Sequence, residues 1–126
     1  LGDIEGAIAM LASFRGLDRE RAIEASMLAA ATVGNVDGVL RLSETFTMFK
    51  GRVSDYLMDS AEMMLTNDHF AAAQQLAERV RDRDIIMENP SALIRLAQVF
   101  KRVGDDVAAD SLYRYAETVE VDSYHQ

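Results

Sequence analysis

Residues 90–119 read PSALIRLAQVFKRVGDDVAADSLYRYAETV, and the Gly104-Asp105 pair in the middle decides how the rest is read. Before it, Leu93, Leu96, Ala97 and Phe100 recur three or four apart; after it, Ala109, Leu112, Tyr113, Ala116 and Val119 do the same. That is the period of a helix, not the alternation of a strand. Gly104 can take the left-handed backbone that ends one helix, and Asp105 can accept from the free amides that begin the next. So short a joint makes the two helices pack antiparallel.

The same unit recurs along the chain. Residues 2–14, GDIEGAIAMLASF, lie over residues 34–46, GNVDGVLRLSETF, 32 residues on. A looser copy, DHFAAAQQLAERV, starts at Asp68, and a fourth, GDDVAADSLYRYA, starts at Gly104. Fixed spacing of this order is the mark of a repeat architecture. A further helical stretch precedes three of the copies, at about 19–33, 53–66 and 90–103. The chain therefore predicts an all-α fold of seven helices, one lone helix followed by three antiparallel pairs. The divisions fall at 1–16, 17–50, 51–89 and 90–123.

Local punctuation supports these joints. Gly16 and Gly51 stand where helices should stop, and Asp18 and Ser54 where the next could be capped. Asn67 is the residue expected to take the left-handed turn where glycine is missing. Asn89 reads as a cap with Pro90 as the first helical residue, where a missing amide costs nothing.

This arrangement resembles the tetratricopeptide repeat, a helix-turn-helix unit of about 34 residues. The fourth copy carries the likeness best, with Leu93, Leu96, Ala97, Phe100, Gly104, Ala109, Tyr113 and Ala116 alternating large and small as that family does. Leu57, Ala61, Met64, Ala73, Leu76 and Val80 make the third copy. In the weaker second, Ile23, Met27 and Ala30 serve the first helix and Val39 replaces the usual alanine. The resemblance implies an α-α superhelix whose first helices line a concave groove. A related solenoid of helical pairs with other crossing angles would show the same pattern. The unpartnered first helix, and Leu112, Tyr115, Val119 and Val121 on the last, suggest an internal segment of a longer array that could self-associate through exposed repeat ends.

Composition narrows the chemistry. Twenty-one acidic against 13 basic residues give a net charge of −8, which argues against nucleic acid or an anionic membrane surface as partner. Nothing reaches the apolar length of a membrane span. Cysteine is absent, so disulfides and thiolate chemistry are excluded, and the undetermined compartment leans weakly toward an oxidising one such as the bacterial periplasm, with the cytoplasm as the alternative. The two histidines, His69 and His125, stand far apart, one expected to cap a helix and the other, next to last, expected to be disordered. No phosphate-binding glycine loop, zinc-protease motif or nucleophile elbow appears, so no catalytic, cofactor or metal site is expected. The oxygen-bearing residues Asp82, Asp84, Glu88 and Asn89, interleaved with Arg81 and Arg83, lack the spacing and central glycine of a calcium loop.

What remains is surface. Carrying the family's groove face over residue by residue implies Arg21, Glu24 and Leu28, then Asp55, Met58, Glu62 and Leu65, then Ser91, Ile94, Gln98 and Lys101. That groove would have an acidic middle, apolar spots at Met58 and Ile94 and basic ends. The lysine and asparagine set that clamps a chaperone's C-terminal carboxylate in some family members is missing. The expected function is a non-catalytic scaffold that holds a partner protein. The alternative is an architectural spacer in a bacterial envelope protein, of the kind used in polysaccharide export or in pilus and outer-membrane assembly.

Overall fold

The structure, a computed structural model, describes residues 4–46 and 50–125. These residues form eight helices and no strand: α1 (Ile4–Leu11), α2 (Gly16–Thr32), α3 (Val36–Ser43), α4 (Lys50–Thr66), α5 (Phe70–Val80), α6 (Asp84–Met87), α7 (Pro90–Arg102) and α8 (Asp106–His125). Seven match the helices expected from the sequence. The eighth, α6, is a single turn within the irregular stretch before Pro90, anchored by the fully buried Ile86.

Three of the joints are built bond for bond alike. At the first, the amides of Gly34 and Asn35 donate to the carbonyls of Ala31 and Ala30 at 3.0 and 2.9 Å. At the second, Asp68 and His69 donate to Leu65 and Met64 at 3.1 and 2.8 Å, and at the third Gly104 and Asp105 donate to Lys101 and Phe100 at 3.1 and 2.9 Å. Each joint thus ends its helix by satisfying two otherwise free carbonyls through one residue at positive φ. Gly34 stands at 72°, Asp68 at 63° and Gly104 at 89°. Asn67, the expected left-handed residue, instead continues the helix, its amide donating to Met63 O at 3.1 Å. The repeat spacing, which lays Asp68 over Gly34 and Gly104, locates the turn correctly where single-residue preference does not.

The caps follow the same division. Asn35 Oδ1 accepts from the Gly38 amide at 2.9 Å, Asn89 Oδ1 from Ala92 at 3.2 Å, and Asp105 Oδ1 from Ala108 at 3.1 Å. His69 holds the cap position of α5 without capping it. Its Nε2 donates instead to the carbonyl oxygen of Thr32, 3.0 Å away, at the end of α2. Two other expected caps also differ: Asp18 lies in the first turn of α2, and Ser54 is fully buried well inside α4. Helix α4 starts earlier than the sequence suggests, so Gly51 lies within its first turn rather than at a helix end.

Packing follows the chain. Each second helix packs on its own first helix, α3 on α2, α5 on α4 and α8 on α7. Helix α4 also touches α2 and α7, and α3 touches α1 and α5. Ile23, Met27, Leu57, Met64, Leu76, Leu93, Leu96 and Phe100 are all at most 1% exposed and form one continuous core. Each contributes about 1.5–3 kcal/mol by leaving water. Small residues share that core: Ala61, Ala73, Ala97 and Ala109 are at most 1% exposed. Ion pairs tie successive second helices, Arg41 to Glu5 and Arg79 Nη1 to Asp37 Oδ1 at 2.7 Å.

At the C-terminal end, Leu112 does not face outward as expected but is 3% exposed on a helix packed against α7, while Tyr115 is 37% exposed. Val119 is half-buried against the core. Helix α8 continues through His125, so the backbone there is helical rather than disordered. The side chain of Val121 lies outside the described residues.

Candidate protein-binding face

Because α2, α4 and α7 end in the same turn, residues equally far ahead of it occupy matching positions. Arg21, Asp55 and Ser91 make one such row, Glu24, Met58 and Ile94 a second, and Leu28, Glu62 and Gln98 a third. The rows lie on helices in contact, since α4 packs against both α2 and α7. Arg21, Asp55, Ser91, Gln98 and Lys101 are exposed, and Glu24, Leu28, Glu62 and Ile94 half-buried.

Two of the expected groove residues are not accessible. Met58 is 0% and Leu65 2% exposed, so neither offers a partner an apolar spot. Helix α4 packs against α2, α3, α5, α6 and α7, which buries far more than one stripe of its circumference. Among the rows that define the groove, only Ile94 and Leu28 keep apolar surface.

Between α4 and α7 the face is organised by a residue outside the expected set, Arg95. Its Nη2 donates to Asp59 Oδ1 at 2.5 Å and to Glu62 Oε2 at 2.6 Å, its Nε donates to Glu62 Oε1 at 3.3 Å, and Nη1 lies 3.9 Å from Asp55 Oδ1. The two-point grip on Glu62 is the geometry that a planar guanidinium supplies and an ammonium cannot. Hydrogen bonding to Glu62 foremost, with Asp59 adding, raises the Arg95 pKa above its already high ordinary value against the opposing effect of burial. The signal that could have found it is the spacing of Asp55, Asp59 and Glu62, three carboxylates along one helical face that need a cation on the adjoining helix.

Beside this cluster Glu62, Leu65, Arg95, Gln98, Val99 and Arg102 line an open cavity of about 160 Å³. Two larger depressions lie off the face. One, of about 260 Å³, is lined by Ser43, Glu44, Phe46, Val53, Arg83 and Ile85, and the other, of about 380 Å³, by Val107, Asp110, Ser111 and Arg114 on α8.

Between α2 and α4 a second charged group borders the face. Glu20 is 6% exposed, with Oε2 3.5 Å from Arg52 Nη1 and Oε1 without a hydrogen-bond partner among the described residues. Tyr56, whose ring lies tilted against that of Phe46 with centroids 5.3 Å apart, has its phenol pKa raised. Burial is the main cause, the Glu24 and Glu20 carboxylates add to it, and a hydrogen bond with Arg52 opposes it.

This arrangement gathers three carboxylates around the single guanidinium of Arg95 and sets Glu20 beside Arg52. Among the described residues no group of three or more histidine, aspartate or glutamate side chains is placed to hold a metal ion, and no helix is long and apolar enough to cross a membrane. The chain matches no protein-family model, and neither a curated protein nor a solved structure is significantly similar to it.

Proposed function

We propose that this chain is a non-catalytic scaffold of the tetratricopeptide kind, in which α2, α4 and α7 present a groove to a segment of another protein. The observation that carries the reading is the repeated joint. Three turns with the same hydrogen bonds put Arg21, Asp55 and Ser91, and likewise Leu28, Glu62 and Gln98, in matching positions on adjoining helices. Stacked hairpins of this sort form a superhelix with extended surface and no convergent catalytic centre. The partner surface would be polar, since the accessible face combines Arg21, Gln98, Lys101 and Arg102 with the carboxylates gathered on Arg95.

The test is site-specific photo-crosslinking in the source cells from position 98, at the cavity between α4 and α7, and from the exposed position 75 on α5. A partner captured from position 98 but not from position 75, and lost on Lys101→Glu with Arg102→Glu, supports the groove. Equal capture from both positions counts against it.

A further inference from the structure

The cavity between α4 and α7 is rich in donors and poor in free acceptors. Glu62 and Leu65 on α4 line it together with Arg95, Gln98, Val99 and Arg102 on α7, so it is bounded on both sides within the chain. Leu65 and Val99, 2% and 1% exposed, supply its apolar part. Glu62 is already held: its Oε1 and Oε2 accept from Arg95 Nε and Nη2 at 3.3 and 2.6 Å.

The donors of Gln98 and Arg102 are unspent by comparison. Both residues are exposed, and neither side chain makes a hydrogen bond or ion pair among the described residues. A guanidinium carries only donors and a carboxamide both kinds, so the free acceptor on the wall is the Gln98 carbonyl oxygen. At about 160 Å³ the cavity is smaller than the roughly 300–1,000 Å³ of small-molecule pockets, and its size suits one side chain rather than a whole ligand.

We infer that this cavity receives the side-chain carboxylate of one aspartate or glutamate within the partner segment, gripped by Arg102 with Gln98 beside it. The site belongs to the groove proposed above, on whose reading it rests, and charge decides its occupant. On the wall itself Glu62 and Arg95 cancel, which leaves the charge of Arg102 uncompensated. Asp59 and Asp55, about one and two turns back along α4, line no part of the cavity. A guanidinium holds a carboxylate at two points, and Gln98, one turn earlier on the same helix face, can add a third bond. A basic side chain would instead meet Arg95 and Arg102 as like charges, and a hydroxyl would leave Arg102 unmatched. The carbonyl end of α7 works against an anion, but that effect is confined to the last turn and is weaker than a two-point guanidinium bond. The net charge of −8 repels acidic segments at long range, which favours a single acid over an acidic run.

The test is selection on the immobilised full chain from a display library of random peptides fused through their C-termini, so that no main-chain carboxylate is presented. The peptides that bind are expected to share an acidic residue at one fixed position. Its replacement by the matching amide in a synthetic copy, and Arg102→Gln in the chain, should each weaken binding at least about tenfold. The two changes together should cost no more than either alone. Arg79→Gln, at an exposed residue of α5 paired with Asp37, should leave binding unchanged. Peptides that share no acid yet lose binding on Gln98→Arg leave the groove reading in place and overturn this inference. So does an acid whose contribution Arg102→Gln does not alter, or enrichment only from a second library with free C-termini, since the occupant is then a main-chain carboxylate. No enrichment, or peptides whose binding no groove substitution touches, overturns both readings.

Discussion

Asp68 occupies the backbone position that Gly104 fills at the equivalent joint, with φ of 63° against 89°. A side chain in the left-handed region crowds its own carbonyl at a cost of about 1–2 kcal/mol, lower for aspartate because its side chain can bond locally. Asp68→Gly should therefore stabilise the fold by about 0.5–1 kcal/mol, measured by urea denaturation. Asn67→Gly, one residue earlier, should destabilise it, because the Nδ2 bond to Met63 O at 2.8 Å is lost and glycine loosens a backbone whose amide still bonds in the helical pattern. A gain at position 67 and none at 68 would move the turn by one residue.

His69 links two joints. A methyl group on Gly34 would lie 3.1 Å from its Cγ and Nδ1, whereas nothing lies within 4 Å of the same position on Gly104. Both glycines have positive φ, so Gly34→Ala should cost more than Gly104→Ala, each at least about 1 kcal/mol. Loss of the bond to Thr32 makes His69→Ala itself cost about 0.5–1.5 kcal/mol. Combining it with Gly34→Ala should relieve part of that substitution's cost, which a double-mutant cycle reads directly. Strict additivity would show that the ring yields freely.

These joints show what local sequence can reveal. Gly104-Asp105 and Asn89-Pro90 act through bonds within five residues, so the residue types alone specify them. Helix α6 is not legible in the sequence because its one turn, Asp84–Met87, is too short to display a period. The burial of Met58 and Leu65 is not local: α4 is packed against five other helices, and a single-stripe reading of it cannot anticipate them. The role of Arg95 is not legible locally, because its partners are 33–40 residues away on α4.

Removing Arg95 would leave Asp59 and Glu62 facing each other without their cation. Its side chain is 24% exposed, so solvent screens the cluster only in part. Arg95→Ala should cost about 1–2 kcal/mol, more at low than at high salt. Arg95→Lys should recover less than half, since a lysine cannot grip Glu62 at two points. Full rescue by lysine would reduce the cluster to simple charge balance.

The contact between α7 and α8 gives a sharper test of pairing. Ala109 is 1% exposed on α8 where it meets α7, and Gln75 is exposed on α5. Ala109→Leu should overpack the contact and cost about 1–3 kcal/mol. Gln75→Leu should change stability by no more than about 0.5 kcal/mol. Similar melting temperatures for the two variants would contradict the α7–α8 packing.

Tyr56 predicts the response to alkali. Its raised pKa means that the folded chain holds the phenolic proton more tightly than the unfolded chain, whose phenol ionises near about 10. This contribution is fully present below that ordinary value and is lost as pH rises through the higher folded value, so stability should fall with pH across that window. Tyr56→Phe removes the titrating group and should flatten that part of the profile. At neutral pH the same variant should cost about 0.5–1.5 kcal/mol, because the bond with Arg52 goes while the contact with Phe46 stays. Denaturation midpoints of both proteins from about pH 8 to 11 decide the matter. Parallel profiles would mean that the phenol ionises equally easily in both states and that its half-buried setting beside Glu20 and Glu24 has no electrostatic consequence.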